Sequence, residues 1–191
     1  MSNINVNASS NAADKALHEA VEKHDVRGVC RALDQGANPN VPYEDGILPV
    51  MKLVGRRSNN AITPWIIVME LIRAGADHLV TDEDGESLVH HAARCDQADV
   101  IETLIALPGL DVHIRCSEGR TPLFNAAAQS RLNAIKTLLA WGADPLVTSN
   151  PDGVMGPDYQ PINAIDYCRS EAYYAEALLS YAMEEAEGEA A

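Results

Sequence analysis

Apolar positions in this chain fall into short clusters at helical spacing, with no strand-length alternation of β-branched residues to suggest a sheet. The clearest stretch runs from Thr121 to Gly142. Thr121-Pro122-Leu123 opens a short helix that continues through Ala126-Ala127-Ala128. The threonine can cap free N–H groups, and proline fits the first helical position because no bond is lost there. A second helix is predicted from Leu132 to Trp141, where Leu138 and Leu139 lie three and four residues beyond Ile135 on one face. Gly142 then stops it, since glycine accepts the left-handed conformation of a helix C-terminus.

This helix, turn, helix, glycine unit recurs. An acidic residue followed by glycine appears at Asp45-Gly46, Asp84-Gly85, Glu118-Gly119 and Asp152-Gly153, with the glycines 39, 34 and 34 residues apart. A second marker, Gly-Ala-Asn/Asp, stands at Gly36-Ala37-Asn38, Gly75-Ala76-Asp77 and Gly142-Ala143-Asp144, and Pro108-Gly109-Leu110-Asp111 is a looser copy. Two independent markers with one period near 33 define a repeat protein, whose units bury their apolar faces against their neighbours.

With these residues in view, the unit resembles the ankyrin repeat, whose pattern is roughly D-x-G-x-T-P-L-H-x-A-A followed by a second helix and L-L-x-x-G-A-D. Asp84-Gly85 leads to Ser87-Leu88-Val89-His90 in place of T-P-L-H; Glu118-Gly119 leads to Thr121-Pro122-Leu123, with Phe124 replacing the histidine. Ala16-Leu17-His18 through Asn38 matches without the opening Thr-Pro, and Pro161-Ile162-Asn163-Ala164 through Ser180 reads as a terminal cap. The resemblance implies an all-α solenoid of stacked helix-turn-helix units joined by β-hairpin-like fingers. Five units are expected, at about 12–44, 45–83, 84–117, 118–151 and 152–184. Residues 1–11 and the acidic tail 185–191 flank them as disordered segments.

Composition narrows the functions. Acidic residues outnumber basic ones 28 to 14, for a net charge of −14, and no cluster of Lys and Arg is present to replace phosphate counterions. Nucleic acid is therefore not an expected partner, whereas a protein with a basic surface is. The opening residues lack a signal-like apolar stretch, and the longest apolar run, Trp65 to Met69, cannot span a bilayer. The expectation is a cytoplasmic protein, off the membrane and monomeric by default. Cys30, Cys95, Cys116 and Cys168 lack CxxC spacing, so no disulfide framework is expected.

Two places depart from the period. The span from Leu48 to Gly75 exceeds that from Thr121 to Gly142 by six residues, which lengthens the turn between two helices with residues 56–62 before Thr63-Pro64 restarts a helix. Five residues are added within 154–159, at the finger ahead of the last unit. Inserted loops cost little stability and are frequent recognition elements.

No catalytic constellation appears: there is no P-loop, no GxGxxG and no nucleophile with a base in reach. His90 falls on the family's T-P-L-H position, where the ring is expected to bond backbone, as is His18 in its own unit. His91 and Cys95 share a helix face, and His113 with Cys116 lies in the next finger. These four could in principle bind zinc, but each is equally explained without it. The reading is of no catalytic residue, no metal and no cofactor.

The resemblance further implies binding through the fingers and the outward positions of the first helices. On the fingers these are Tyr43, Glu44, Asp82, Glu83, Arg115 and Ser117, with Asp158 and Tyr159 on the inserted one. On the first helices they are Glu19, Glu22, His91, Arg94, Asn125 and Gln129. The expected function is a non-catalytic module binding one protein partner. Its rivals are an inhibitor or immunity-type protein that blocks a cognate enzyme or toxin, and an effector acting on host proteins.

Overall fold

The computed structural model describes residues 10–54, 62–149, 162–165 and 180. Most of the inserted segment 56–62, the extended finger 154–159 with Asp158 and Tyr159, nearly all of 152–184 and the tail 185–191 lie outside the described residues. Within them the chain forms eight helices and no named strand, an all-α architecture. It divides into two compact units, Met1–His78 and Leu79–Ala191.

In the first unit α1 (Ser10–Glu22) pairs with α2 (Val26–Asp34), and α3 (Pro49–Val54) pairs with α4 (Ile62–Arg73). First helix packs on first helix and second on second, α1 against α3 and α2 against α4. Leu17, Val29, Val50, Val54, Ile67 and Leu71 are fully buried between them. α1 opens at Ser10, inside the segment expected to be disordered. α4 likewise begins ahead of the expected Thr63-Pro64 start. Pro64 therefore sits in the first turn, where a missing N–H removes no intrahelical bond.

The second unit repeats the plan with α5 (Leu88–Arg94), α6 (Ala98–Ile105), α7 (Pro122–Ala128) and α8 (Leu132–Ala140). α5 packs on α7 and α6 on α8. Ala92, Ala93, Ala126 and Ala127 are at most 1% exposed, and these small side chains let the first helices approach closely. Leu88, Ile101, Leu104, Leu123, Ile135 and Leu138 complete the core. The predicted caps are present: the Thr121 hydroxyl accepts from the Phe124 N–H at 3.3 Å, with Pro122 at the first helical position.

Among the described residues both glycine markers take positive φ, and each has one job. Gly142 (φ 84°) ends α8 by donating to the Leu139 carbonyl at 2.8 Å while Ala143 donates to Leu138 at 2.9 Å, a Schellman closure. Gly36 and Gly75 close their helices in the same way. The acidic-Gly marker shapes the fingers. Tyr43, Asp82 and Cys116 each donate to the carbonyl four residues on, at 2.9–3.0 Å, around a glycine turn. An isolated antiparallel bridge joins Thr81 to Ser87.

The helices α1, α5 and α7 end differently, because His24, Asp96 and Ser130 occupy the left-handed position without being glycine. Asp96 uses its side chain from there. Its carboxylate accepts from the Ala134 N–H at 2.9 Å and from the Asn133 amide at 3.0 Å, and so caps the first turn of α8.

Candidate partner-binding site

His18 and His90 do the same structural work, each in its own repeat. His18 Nε2 bonds the Val41 carbonyl of the following finger at 2.8 Å, and His90 Nε2 bonds the Arg120 carbonyl of its following finger at 2.9 Å. His90 Nδ1 faces the Ser87 N–H at 3.2 Å and the Ser87 hydroxyl at 2.9 Å. With Nδ1 accepting, Nε2 must carry the proton and the ring is neutral. Burial favours that neutral form and pushes the His90 pKa below its ordinary value, although the Arg120 carbonyl pulls the other way.

In the first unit α1, the finger at 43–47 and α3 enclose a cleft of about 480 Å³. Four of the residues expected to bind a partner line it together: Glu19, Glu22, Tyr43 and Glu44. The Tyr43 ring stacks on His18, with centroids 4.0 Å apart and planes 17° from parallel, and its hydroxyl donates to the His18 carbonyl at 3.0 Å. Lys52 reaches in from α3, pairs with Asp45 at 2.6 Å and places its ammonium 4.8 Å from the Tyr43 ring centroid. That ammonium, helped by the Ile47 N–H, holds the Asp45 carboxyl below the usual carboxylate range.

In the second unit the corresponding polar groups close on each other. His91 Nε2 lies 2.8 Å from Asp82 Oδ2, and Arg94 places one nitrogen 3.0 Å from Glu86 Oε2 and another 2.7 Å from His91 Nδ1. Asn125 donates to Glu86 Oε1 at 2.7 Å. A guanidinium can only donate, so His91 accepts at Nδ1 and donates from Nε2. Burial works to raise the Asp82 pKa, but the Glu86 N–H and His91 outweigh it and hold the carboxyl below its ordinary value.

Two expectations are corrected here. His91 and Asn125 were expected on an open face, yet they are 8% and 6% exposed: His91 is drawn in between Asp82 and Arg94, and Asn125 satisfies the buried carboxylate of Glu86. Glu86 itself was not singled out from the sequence. Its signal lay in the repeat register, where Ile47, Glu86 and Arg120 occupy the same place ahead of a first helix.

Asp82, Glu86 and His91 also present ligand atoms within 4.8 Å of one another. Their chemistry as built is that of a closed network. A metal on Nε2 would move the imidazole proton to Nδ1, against the Arg94 N–H, and would displace Arg94 from Glu86. Cys95, His113 and Cys116 are not part of this gathering.

The remaining expected residues are dispersed. Glu83, Ser117 and Gln129 are exposed. The Ser117 N–H donates to the Asp84 carbonyl at 2.9 Å, which ties neighbouring fingers together. Arg115 spends its guanidinium on the Gly119 and Thr148 carbonyls at 3.2 and 2.8 Å.

Paired short helices, glycine-closed and linked by Asp/Glu-Gly fingers, define a class of helical repeat protein. Residues 57–149 match the ankyrin-repeat family model in three copies, so this span of the chain is built of ankyrin repeats. It is 28% identical over 149 residues to the human transient receptor potential cation channel subfamily A member 1, across 77% of this chain and 13% of that protein. It is 34% identical over 64 residues to the putative ankyrin repeat protein FPV219 of fowlpox virus (strain NVSL), across 34% of this chain and 14% of that one. The chain thus spans only a small part of the length of either relative. Ankyrin repeats are generally protein–protein interaction modules. Among the described residues no helix is long and apolar enough to cross a membrane.

Proposed function

We propose that this chain is a non-catalytic module that binds one protein partner through first-helix and finger residues, with the cleft of the first unit at the centre of the contact. The observation that carries this reading is the convergence of Glu19, Glu22, Tyr43 and Glu44, from two elements, around one opening. The second unit's polar residues are bonded to one another, which leaves Glu83, Ser117 and Gln129 as its outward contacts. A cytoplasmic setting, a single partner and a monomeric state belong to the same reading. Inhibition of a cognate enzyme and action on host proteins remain uses to which the same surface could be put.

Affinity capture with the full chain tests the proposal, provided that each recovered protein is purified and titrated back. A true partner binds the wild type and loses about tenfold or more in affinity on Tyr43→Ala combined with Glu44→Gln. Equal affinity for both forms would place the contact elsewhere, and no purified protein binding at all would overturn the binding role. If the partner is an enzyme, its turnover in the presence of the chain separates inhibition from tethering.

A further inference from the structure

We infer that His91 is a pH-operated latch in the second unit: when its ring takes up a proton, it expels the Arg94 guanidinium from the buried carboxylate network and turns that cation outward. The inference goes beyond the binding role proposed above and does not depend on which protein is bound.

The charges around His91 favour the added proton. The finger at 82–86 brings two carboxylates to the ring, with Asp82 Oδ2 at 2.8 Å and Glu86 Oε2 at 4.0 Å from Nε2. Both Glu86 oxygens accept, one from Arg94 and one from Asn125, as an ionised carboxylate does. Against these two negative charges stands one cation in the network, Arg94, so a proton on His91 completes the balance. Glu83 and Asp84 on the same finger are exposed. Of the elements packed on α5, α7 adds Asn125 and no ionisable side chain, and α6 carries the exposed Asp99 and Glu102. α8 carries Lys136, and Arg131 at its start donates to the Arg94 carbonyl at 2.9 Å. Arg120 of the following finger pairs with Glu118 at 2.9 Å, and burial keeps the neighbouring His90 ring neutral.

Geometry leaves one place for the proton. Nε2 already donates to Asp82, so the addition falls on Nδ1, where an Arg94 nitrogen donates from 2.7 Å. Two donors cannot face each other at that distance, and an imidazolium and a guanidinium repel. One of them must leave. The His91 side chain is 10% exposed and lies against two carboxylates, whereas that of Arg94 is 43% exposed on a long stem at the end of α5. Arg94 therefore swings out, and the imidazolium takes over as counter-ion to Asp82 and Glu86. The unit then offers a guanidinium that can pair bidentately with a partner's carboxylate, which it withholds while His91 is neutral.

The experiment follows the full chain, isotope-labelled in histidine and arginine, by NMR from about pH 8 to about pH 5, the range in which histidines commonly change charge. At the upper end His91 should carry its proton on Nε2 alone, and Arg94 should give separate signals for its two terminal nitrogens, as a guanidinium held at both does. As Nδ1 gains its proton, the Arg94 signals should merge with the same midpoint while the backbone signals of α5 and α7 stay in place. In Arg94→Gln the opposing charge is gone, and His91 should hold its added proton about tenfold more tightly. His91→Gln cannot titrate and should abolish the pH dependence of the Arg94 signals. The wild-type titration and the change at half-exposed Arg94 decide the matter even if His91→Gln does not fold.

Arg94 signals that stay separate after His91 is protonated would overturn the latch. So would a His91 ring that remains neutral until the unit unfolds, or an unchanged proton affinity in Arg94→Gln. Each of these outcomes leaves the binding role of the first unit standing.

Discussion

The two units take the same repeat and spend its polar positions differently. In the second, Asp82, Glu86, His91, Arg94 and Asn125 are bonded to one another across a finger and two first helices. In the first, Glu19, Glu22 and Glu44 stand around an open cleft. The difference follows from the elements available. The finger at 82–86 folds two carboxylates, Asp82 and Glu86, onto α5 and α7, whereas the finger at 43–47 turns only Asp45 back, onto Lys52. Polar groups that can reach a neighbour become structure, and those that cannot stay open to solvent.

The sharpest way to break this comparison is to remove one carboxylate from each unit. Glu86→Ala leaves Arg94 and Asn125 facing an empty position. A buried pair broken from one side costs several kcal/mol, but Arg94 is partly solvated, so the expected loss is about 2–3 kcal/mol. Glu44→Ala should change stability by less than about 0.5 kcal/mol. Trp65 and Trp141 report on different units, so denaturant titrations in Trp141→Phe and Trp65→Phe backgrounds assign each loss to its own unit. Similar costs in the two units would end the contrast between closed and open polar groups.

Next in size is the pH response of the second unit. His90 is held neutral by burial, with its folded pKa below its ordinary value near 6.5, so the unfolded chain binds the proton first. Its stabilising contribution is complete above that ordinary value and is lost as pH falls through the lower folded one. Asp82, also depressed, adds a second loss further into acid, as pH falls from about 3.9 through its folded value. His90→Ala should cost about 2 kcal/mol at neutral pH by releasing the Ser87 and Arg120 contacts, and should flatten the first of these losses. Thermal melts from about pH 2 to about pH 8 check both. An unchanged pH slope in His90→Ala would assign the acid sensitivity to other groups.

How much of this was legible beforehand depended on whether a residue acts through the backbone or through side-chain reach. Gly36, Gly75 and Gly142 announce helix ends because only a backbone conformation is at stake, and Thr121-Pro122 announces a start for the same reason. His90 was readable because its partners sit at fixed offsets within the repeat. Glu86 was not, because its burial depends on Asn125, 39 residues away, and on a rotamer of Arg94. The open cleft was half legible. Glu19, Glu22, Tyr43 and Glu44 could be named from their repeat positions, but the stacking of Tyr43 on His18 and the Lys52–Asp45 pair are three-dimensional facts. The left-handed backbone at His24, Asp96 and Ser130 carried no glycine to mark it.

Those left-handed residues supply the smallest and most discriminating prediction. A side chain in this conformation costs about 1–2 kcal/mol, and glycine gives part of that back through the greater freedom of the unfolded chain. His24 obtains little in return for its strain, since its Nδ1 is buried without a hydrogen bond. His24→Gly in the first unit should therefore be neutral or stabilising by up to ~1 kcal/mol, the lost packing of a half-buried ring being the only charge against it. Asp96→Gly relieves similar strain in the second unit but deletes the cap on α8, worth about 1 kcal/mol, and frees the Asn133 amide. It should lower stability despite the easier backbone. If both substitutions stabilise, the side chain of Asp96 is not coupling one repeat to the next. If both destabilise, His24 contributes packing in the first unit that its hydrogen bonding does not reveal.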